Sequence, residues 1–348
     1  MRIGILTGGG DCPGLNPVIR GAVRRSVVKY DSQVIGIRDG WLGLMTGRTM
    51  ALDMDKVSGI LPRGGTILGT SRTNPFKSED GPQRVMDHIK SLGLDALIAI
   101  GGEDTLGVAN KLCKMGAKIV GVPKTIDYDL EETDYTVGFD TAINIVMDAI
   151  DRLHTTAESH NRVMIVEVMG RDTGWIAIQA GIAGGADIIL TPEFPMDIAV
   201  VCRLIEQRHA RGKNFHIVVI AEHPNLTGLT PEEESLIKGT SGDKTKTDAF
   251  GHVRLGGVGM ALEKIIEKRT GFETRATVLG HVQRGGSPTA YDRVIGTRYG
   301  VVAADFIHEG KFGKMVALRG TKIVAADISA AVGKMKYADP ELYEIAKV

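Results

Sequence analysis

The chain has 348 residues, 43% of them hydrophobic and 24% charged, a normal globular balance that excludes wholesale disorder. That length suits two lobes better than one core. Its 42 basic and 42 acidic residues cancel, so neither a nucleic-acid footprint nor a polybasic membrane patch is indicated, and a bound anion must be met by a local cluster.

The cysteines Cys12, Cys113 and Cys202 are odd in number and far apart. They fit free thiols in a reducing compartment, and no CxxC pair suggests zinc. No apolar run approaches the roughly 20 residues a membrane span needs, and MRIGILT reads as a strand rather than a signal peptide. The expected address is the cytoplasm.

In chain order, apolar runs rich in β-branched residues predict strands at Ile3–Leu6, Val34–Ile37, Ala96–Ile100, Ile119–Val122, Val163–Val168, Ile188–Leu190, Ile217–Ile220 and Thr277–Leu279. Helical segments separate them. Asn16 followed by Pro17 reads as a cap and first turn. Leu106, Ala109, Leu112 and Met115 share one helical face, and Ile143, Val146, Ile150 and Leu153 mark a helix over roughly 139–158. Residues 223–256 are polar and rich in Thr and Gly, a surface excursion with a short helix near Pro231–Ile237. Continuous apolar strands alternating with helices predict an α/β fold of two doubly wound lobes with mainly parallel sheets. A hinge falls near Gly138–Asp140, and the active site lies in the cleft at the strand carboxyl ends.

Those ends carry the chemistry. TGGGDCPGLN (7–16) joins a glycine turn to a helix start, a phosphate cradle without the GK[ST] of a Walker motif. A tight strand–helix turn alone would use similar residues. GGEDT (101–105) places Glu103 and Asp104 at a helix start, where acids cap well. Beside a phosphate, two acids need Mg²⁺ to neutralise them. PKTIDYD (123–129), if extended, puts Thr125, Asp127 and Asp129 on one side and Lys124, Ile126 and Tyr128 on the other; a polar turn is the other reading. EVMGRDTGW and GHVQRGGSP each end a strand with an arginine beside glycine, suited to a planar grip on phosphate. Glu222 terminates a strand and can accept sugar hydroxyls or cap a loop. A dinucleotide-binding enzyme does not fit, because GGGDCPG lacks the GxGxxG spacing.

TGGGDCPGLN, GGEDT, PKTIDYD, HTTAESHNR, VEVMGRDTGW and TRATVLGHVQRGGSP, in this order and spacing, resemble the phosphofructokinase family from Arg2 to about Gly320. The resemblance implies Mg²⁺-dependent phosphoryl transfer to the 1-hydroxyl of fructose 6-phosphate. It makes Asp127 the general base, Thr125 and Asp129 its orienting neighbours, and Arg72 a bridge between phosphates. Gly9 meets the donor phosphate, and Glu103 occupies the metal-ligand position, usually an aspartate. Met169, Gly170, Arg171, Glu222, His281 and Arg284 match the sugar-phosphate pocket. Arg162 and Arg275 match arginines that reach the 6-phosphate from a neighbouring subunit, which implies a homodimer or homotetramer. The expected lobes are 1–139 plus about 283–332, holding donor and metal, and 140–282 plus about 333–348, holding the sugar phosphate.

Two positions bear on the donor. ATP-using members resemble GGDG, with glycine where this chain has Asp104, and usually glycine at Lys124. A carboxylate in the space of a nucleotide's α-phosphate adds bulk and repulsion, roughly 4 kcal/mol at about 4 Å for an effective dielectric near 20. Lys124 can pair with Asp104 and counter pyrophosphate's charge. The pair resembles the pyrophosphate-dependent branch, with ATP, or sedoheptulose 7-phosphate as acceptor, as alternatives. The effector pocket of allosteric relatives is only partly echoed: Arg20, Arg24, Arg211 and Lys213 remain, while Met54 replaces a basic residue. The family loop normally reads TIDND; Tyr128 here either points into the lobe interface or reshapes the acceptor pocket. A phosphate-binding regulator that has lost catalysis is a further reading, opposed by retention of Asp127, Thr125, Asp129 and Arg72.

Overall fold

The computed structural model describes residues 1–240, 249–251 and 256–347, so part of the predicted 223–256 excursion lies outside the described residues. Its helix forms at Pro231–Thr240.

The strands are β1 (Arg2–Thr7), β2 (Gln33–Ile37), β3 (Thr49–Leu52), β4 (Ala96–Gly101), β5 (Ile119–Pro123), β6 (Val163–Val168), β7 (Ile188–Leu190), β8 (Met196–Asp197), β9 (His216–Ala221), β10 (Leu226–Thr227), β11 (Thr274–Val278), β12 (Lys314–Arg319) and β13 (Lys322–Asp327). One sheet has seven strands in the order β13-β12-β5-β4-β1-β2-β3, and another has four in the order β11-β6-β9-β7. The four-stranded sheet is parallel throughout. The larger sheet is parallel except at its edges, where β2 pairs β3 and β12 pairs β13 antiparallel.

Every residue of β4, ALIAIG, is buried. Its side chains divide by pleat: Ile98 and Ile100 join one apolar cluster, Leu97 and Ala99 another. The first cluster continues through Val146 and Ile150 of the helix Phe139–His160 to Val166 and Val219 of the smaller sheet. Ile165 and Val218 face the other way, into a third cluster. Two sheets therefore share one apolar layer, with helices covering their other faces.

Four readings need correction. The last strand of the smaller sheet begins at Thr274, earlier than the apolar trio Thr277–Leu279 suggests. The helix Leu15–Tyr30 is capped by Gly14 at φ 111°, not by Asn16. The Asn16 amide instead holds the loop opposite: its Oδ1 accepts from Ile67 N at 2.9 Å, and its Nδ2 donates to Arg63 O at 3.0 Å. Met115 lies just beyond the helix Glu103–Lys114 and is exposed. The hairpin β12–β13 was not foreseen.

Candidate active site

The carboxyl ends of β1, β4 and β5 are adjacent, so their three following loops meet. After β1, Gly9 takes φ 76°. The turn is held by Gly8 N–H donating to Ile100 O at 2.9 Å and Thr70 Oγ1 donating to Gly9 O at 2.6 Å. A side chain at Gly8 is excluded, and one at Gly10 would displace the Arg284 guanidinium. A Cβ on Gly8 would lie 2.5 Å from Thr105 Oγ1, and one on Gly10 would lie 2.7 Å from Arg284 Nη1. Arg72 follows Ser71, whose carbonyl accepts from Gly9 N at 3.3 Å, so it stands beside this loop. Asp104 lies in the first turn of the helix after β4. Lys124 is buried, and its Nζ donates to Gly10 O. Burial pushes its pKa down, while Cys12, Asp127 and Asp11 pull the other way. The ammonium thus underpins the first loop.

The loop after β5 is a turn, not the extended segment considered above. Asp127 N donates to Thr125 Oγ1 at 3.1 Å, and that hydroxyl donates to Asp127 Oδ2 at 3.4 Å. Thr136 Oγ1 holds Thr125 O at 2.8 Å. The turn still gathers Thr125, Asp127 and Asp129. Asp127 is buried, and one oxygen each of Asp127 and Asp129 has no partner. Burial, reinforced by the charge of Asp127, pushes Asp129 up to about 7. Tyr128 takes φ 59° and turns away: its ring stacks on Phe139 at 4.2 Å, meets Trp175 edge-on at 5.0 Å, and its hydroxyl donates to Asp134 O. Of the two readings for Tyr128, its ring takes the one at the lobe junction.

Among the described residues no three His, Cys, Asp or Glu side chains are grouped to hold a metal by themselves. Mg²⁺ is commonly held by one or two carboxylates plus substrate phosphates. An orphaned oxygen on the half-buried Asp129, next to that on the buried Asp127, is a donor such an ion needs, so the residues present fit it. Glu103 is exposed and its Oε1 accepts from Gly333 N at 3.1 Å.

Across the cleft, Gly170 has φ 141° and Arg171 φ 55°, turning the chain after β6 sharply. Thr173 Oγ1 sits 3.1 Å from Gly170 O and 3.2 Å from Asp127 O, tying this turn to the Asp127 loop. Arg171 N donates to Glu222 Oε1 at 3.0 Å. Burial, with Asp127 nearby, pushes Glu222 up to about 7. Met169 N donates to Gln283 Oε1 at 3.2 Å, which fixes the short helix Gly280–Arg284 and leaves His281 exposed. Arg284 faces the first loop, donating to Asp11 O at 3.2 Å.

Two predicted residues stand apart. Arg162 precedes β6 and Arg275 is the second residue of β11, near the amino ends of the parallel strands, and both pair with Glu273. Counted along their strands, Arg162 lies roughly 20 Å and Arg275 roughly 10 Å from the carboxyl edge. Thr173, Lys336 and Asp292, which the sequence reading missed, all bear on the site. A buried Asp292 accepts from Gly138 N (2.8 Å), Thr141 N (2.9 Å) and Thr141 Oγ1, and so holds the start of the helix after the Asp127 loop.

The phosphofructokinase family model matches residues 2–307. The chain belongs to the phosphofructokinase family. A pyrophosphate–fructose 6-phosphate 1-phosphotransferase of Streptomyces coelicolor is 56% identical, over 99% of this chain and 98% of its own. An ATP-dependent 6-phosphofructokinase 2 of the same organism is 52% identical, over 97% of this chain and 96% of its own. The T-state phosphofructokinase of Pichia pastoris superposes with a TM-score of 0.80 at 29% identity; the match covers 95% of this chain and 35% of that longer one. In this phosphofructokinase, then, the predicted family motifs converge on one cleft, except for Arg162 and Arg275.

Proposed function

We propose that the chain transfers a phosphoryl group reversibly between pyrophosphate and the 1-hydroxyl of fructose 6-phosphate. The observation that carries this is the buried Asp127 carboxylate, with one oxygen unpartnered, set between the glycine loop after β1 and the Gly170–Arg171 turn after β6. Relatives named for either donor differ by only a few per cent in their identity to this chain, 56% and 52%. The side chains at 104 and 124 therefore bear on the donor more than overall likeness does. Asp104 stands at the start of the helix after β4, where it opposes a third phosphate.

In this reading Asp127 accepts the proton of the attacking hydroxyl as the new O–P bond forms. The bridging O–P bond of pyrophosphate breaks, and phosphate departs with the bridging oxygen. Gly9 lets backbone N–H groups approach the donor, Arg72 offsets charge on the moving group, and Lys124 stiffens the loop beneath. Thr125 orients Asp127. Met169, Gly170, Arg171, Glu222 and His281 grip the sugar phosphate. Glu103, with Asp129 beside it, would hold Mg²⁺, which supplies charge neutralisation on the phosphates when bound.

Arg162 and Arg275 lie on the amino-end side of the smaller sheet and pair with Glu273 there, not in their own cleft, which supports their serving a neighbouring subunit in a homodimer or homotetramer. The lobes are assigned as 1–139 with about 283–332, and 140–282 with about 333–348. Among the described residues no helix is long and apolar enough to cross a membrane, and we place the enzyme in the cytoplasm.

The test is a matrix of pyrophosphate and ATP, each with fructose 6-phosphate and sedoheptulose 7-phosphate, at equal concentrations with Mg²⁺. Product from pyrophosphate and fructose 6-phosphate should dominate. Preference for ATP would overturn the donor assignment, and preference for the seven-carbon sugar the acceptor. Saturable binding without product would overturn catalysis itself.

A further inference from the structure

Residues 333–338 form a strap across the cleft. Gly333 N donates to Glu103 Oε1 at 3.1 Å, and Lys336 N to Asp129 O at 2.9 Å. Trp175 Nε1 donates to Lys336 O at 2.8 Å, and Ala338 N to Glu193 Oε1 at 3.0 Å. Met335 bridges Leu130 in antiparallel fashion. In order, the strap touches the helix after β4, the Asp127–Asp129 loop, and the helix Trp175–Ala183 that follows the Arg171 turn. It touches both sides of the reaction.

Lys336 is its centre. Its ammonium lies 3.9 Å from the centroid of Tyr128, the residue between Asp127 and Asp129. The same Nζ donates to Thr133 O at 3.0 Å. A β-carbon in the left-handed region is strained by about 1–2 kcal/mol. Tyr128 bears that strain at φ 59° because its ring is held: Phe139 on one face, Trp175 at the edge, and the ammonium within cation–π range. The ring in turn sets the backbone on both sides of it.

We infer that Lys336, acting through the Tyr128 ring and the Asp129 carbonyl, is a positioning residue for phosphoryl transfer, fixing the turn that aims Asp127. The inference rests on the reading of Asp127 as base. Misplacing a reacting group by about 1 Å can cost on the order of 100-fold in rate. The strap's backbone contacts survive a side-chain change, so a smaller loss is expected.

The experiment measures kcat, KM for fructose 6-phosphate and pyrophosphate, and Tm for Lys336→Met, Lys336→Arg, Tyr128→Leu and Asp127→Ser. Lys336→Met should lower kcat about tenfold, as expected for a modest misplacement, with both KM values within about twofold. Lys336→Arg, which keeps a cation over the ring, should recover most of that loss. Where Lys336→Met does not fold, Lys336→Gln keeps a donor for Thr133 O and should show the same split more weakly. In the double variant Lys336→Met with Tyr128→Leu, the loss should not exceed the larger single one; additive losses would refute the route through the ring. Wild-type kcat with a lowered Tm would make Lys336 merely structural and overturn the inference. If Asp127→Ser retains turnover, the reading of the base fails instead, whatever Lys336 does.

Discussion

Glu222 ends β9 beside Asp127, and its carboxyl is displaced from an ordinary 4.5 to about 7. Burial is the first cause and the like charge of Asp127 the second; the hydrogen bond from Arg171 N opposes both. The native state therefore binds this proton more tightly than the unfolded chain does. Its contribution to stability is complete below about pH 4.5 and is lost as pH rises through about 7. A displacement of this size corresponds to about 3 kcal/mol, and partial exposure of the side chain brings the expected effect to about 2 kcal/mol. Glu222→Gln keeps an acceptor for Arg171 N but cannot ionise. Denaturant unfolding of the ligand-free enzyme should show little gap between variant and wild type at pH 4.5. At pH 8 the variant should be more stable by about 2 kcal/mol. An equal gap at both pH values would refute an ionisation penalty at this residue.

Replacing Asp104 by glycine should raise kcat/KM for ATP by about tenfold or more, since roughly 1.4 kcal/mol of relieved repulsion is enough for that factor. Unchanged donor preference in initial-rate assays would remove Asp104 from the specificity role. Asp292→Ala leaves Gly138 N and Thr141 N without their acceptor at a buried helix start. Thermal or denaturant unfolding should show a loss of about 3 kcal/mol, and a loss below about 0.5 kcal/mol would deny the anchor that role.

The parallel strands were legible because a strand covered on both faces must be apolar at every position, as ALIAIG is. The hairpin β12–β13 was not. The exposed β13 segment KIVAAD carries too weak a pattern to separate from loop. Asn16 was misread because cap preference is only a tendency, and the glycine two places earlier had already closed the helix. The site residues were recognisable by type, since Thr125, Asp127 and Asp129 crowd one short stretch. Their conformation was not, because a threonine hydroxyl folding back on its own backbone leaves no periodic trace. Glu103 and the pair Arg162 and Arg275 could be named from the motifs, but only the strand directions show that the arginines lie at the opposite end. Lys336 was invisible, one of two lysines in a short segment whose partners Tyr128, Asp129 and Thr133 lie about two hundred positions earlier.

The segment that braces the reactive turn is reached only after the chain has built the smaller sheet and crossed back to the larger one, so the turn depends on contacts that are remote in sequence. Loosening the strap should therefore lower turnover under conditions mild enough to leave both sheets intact.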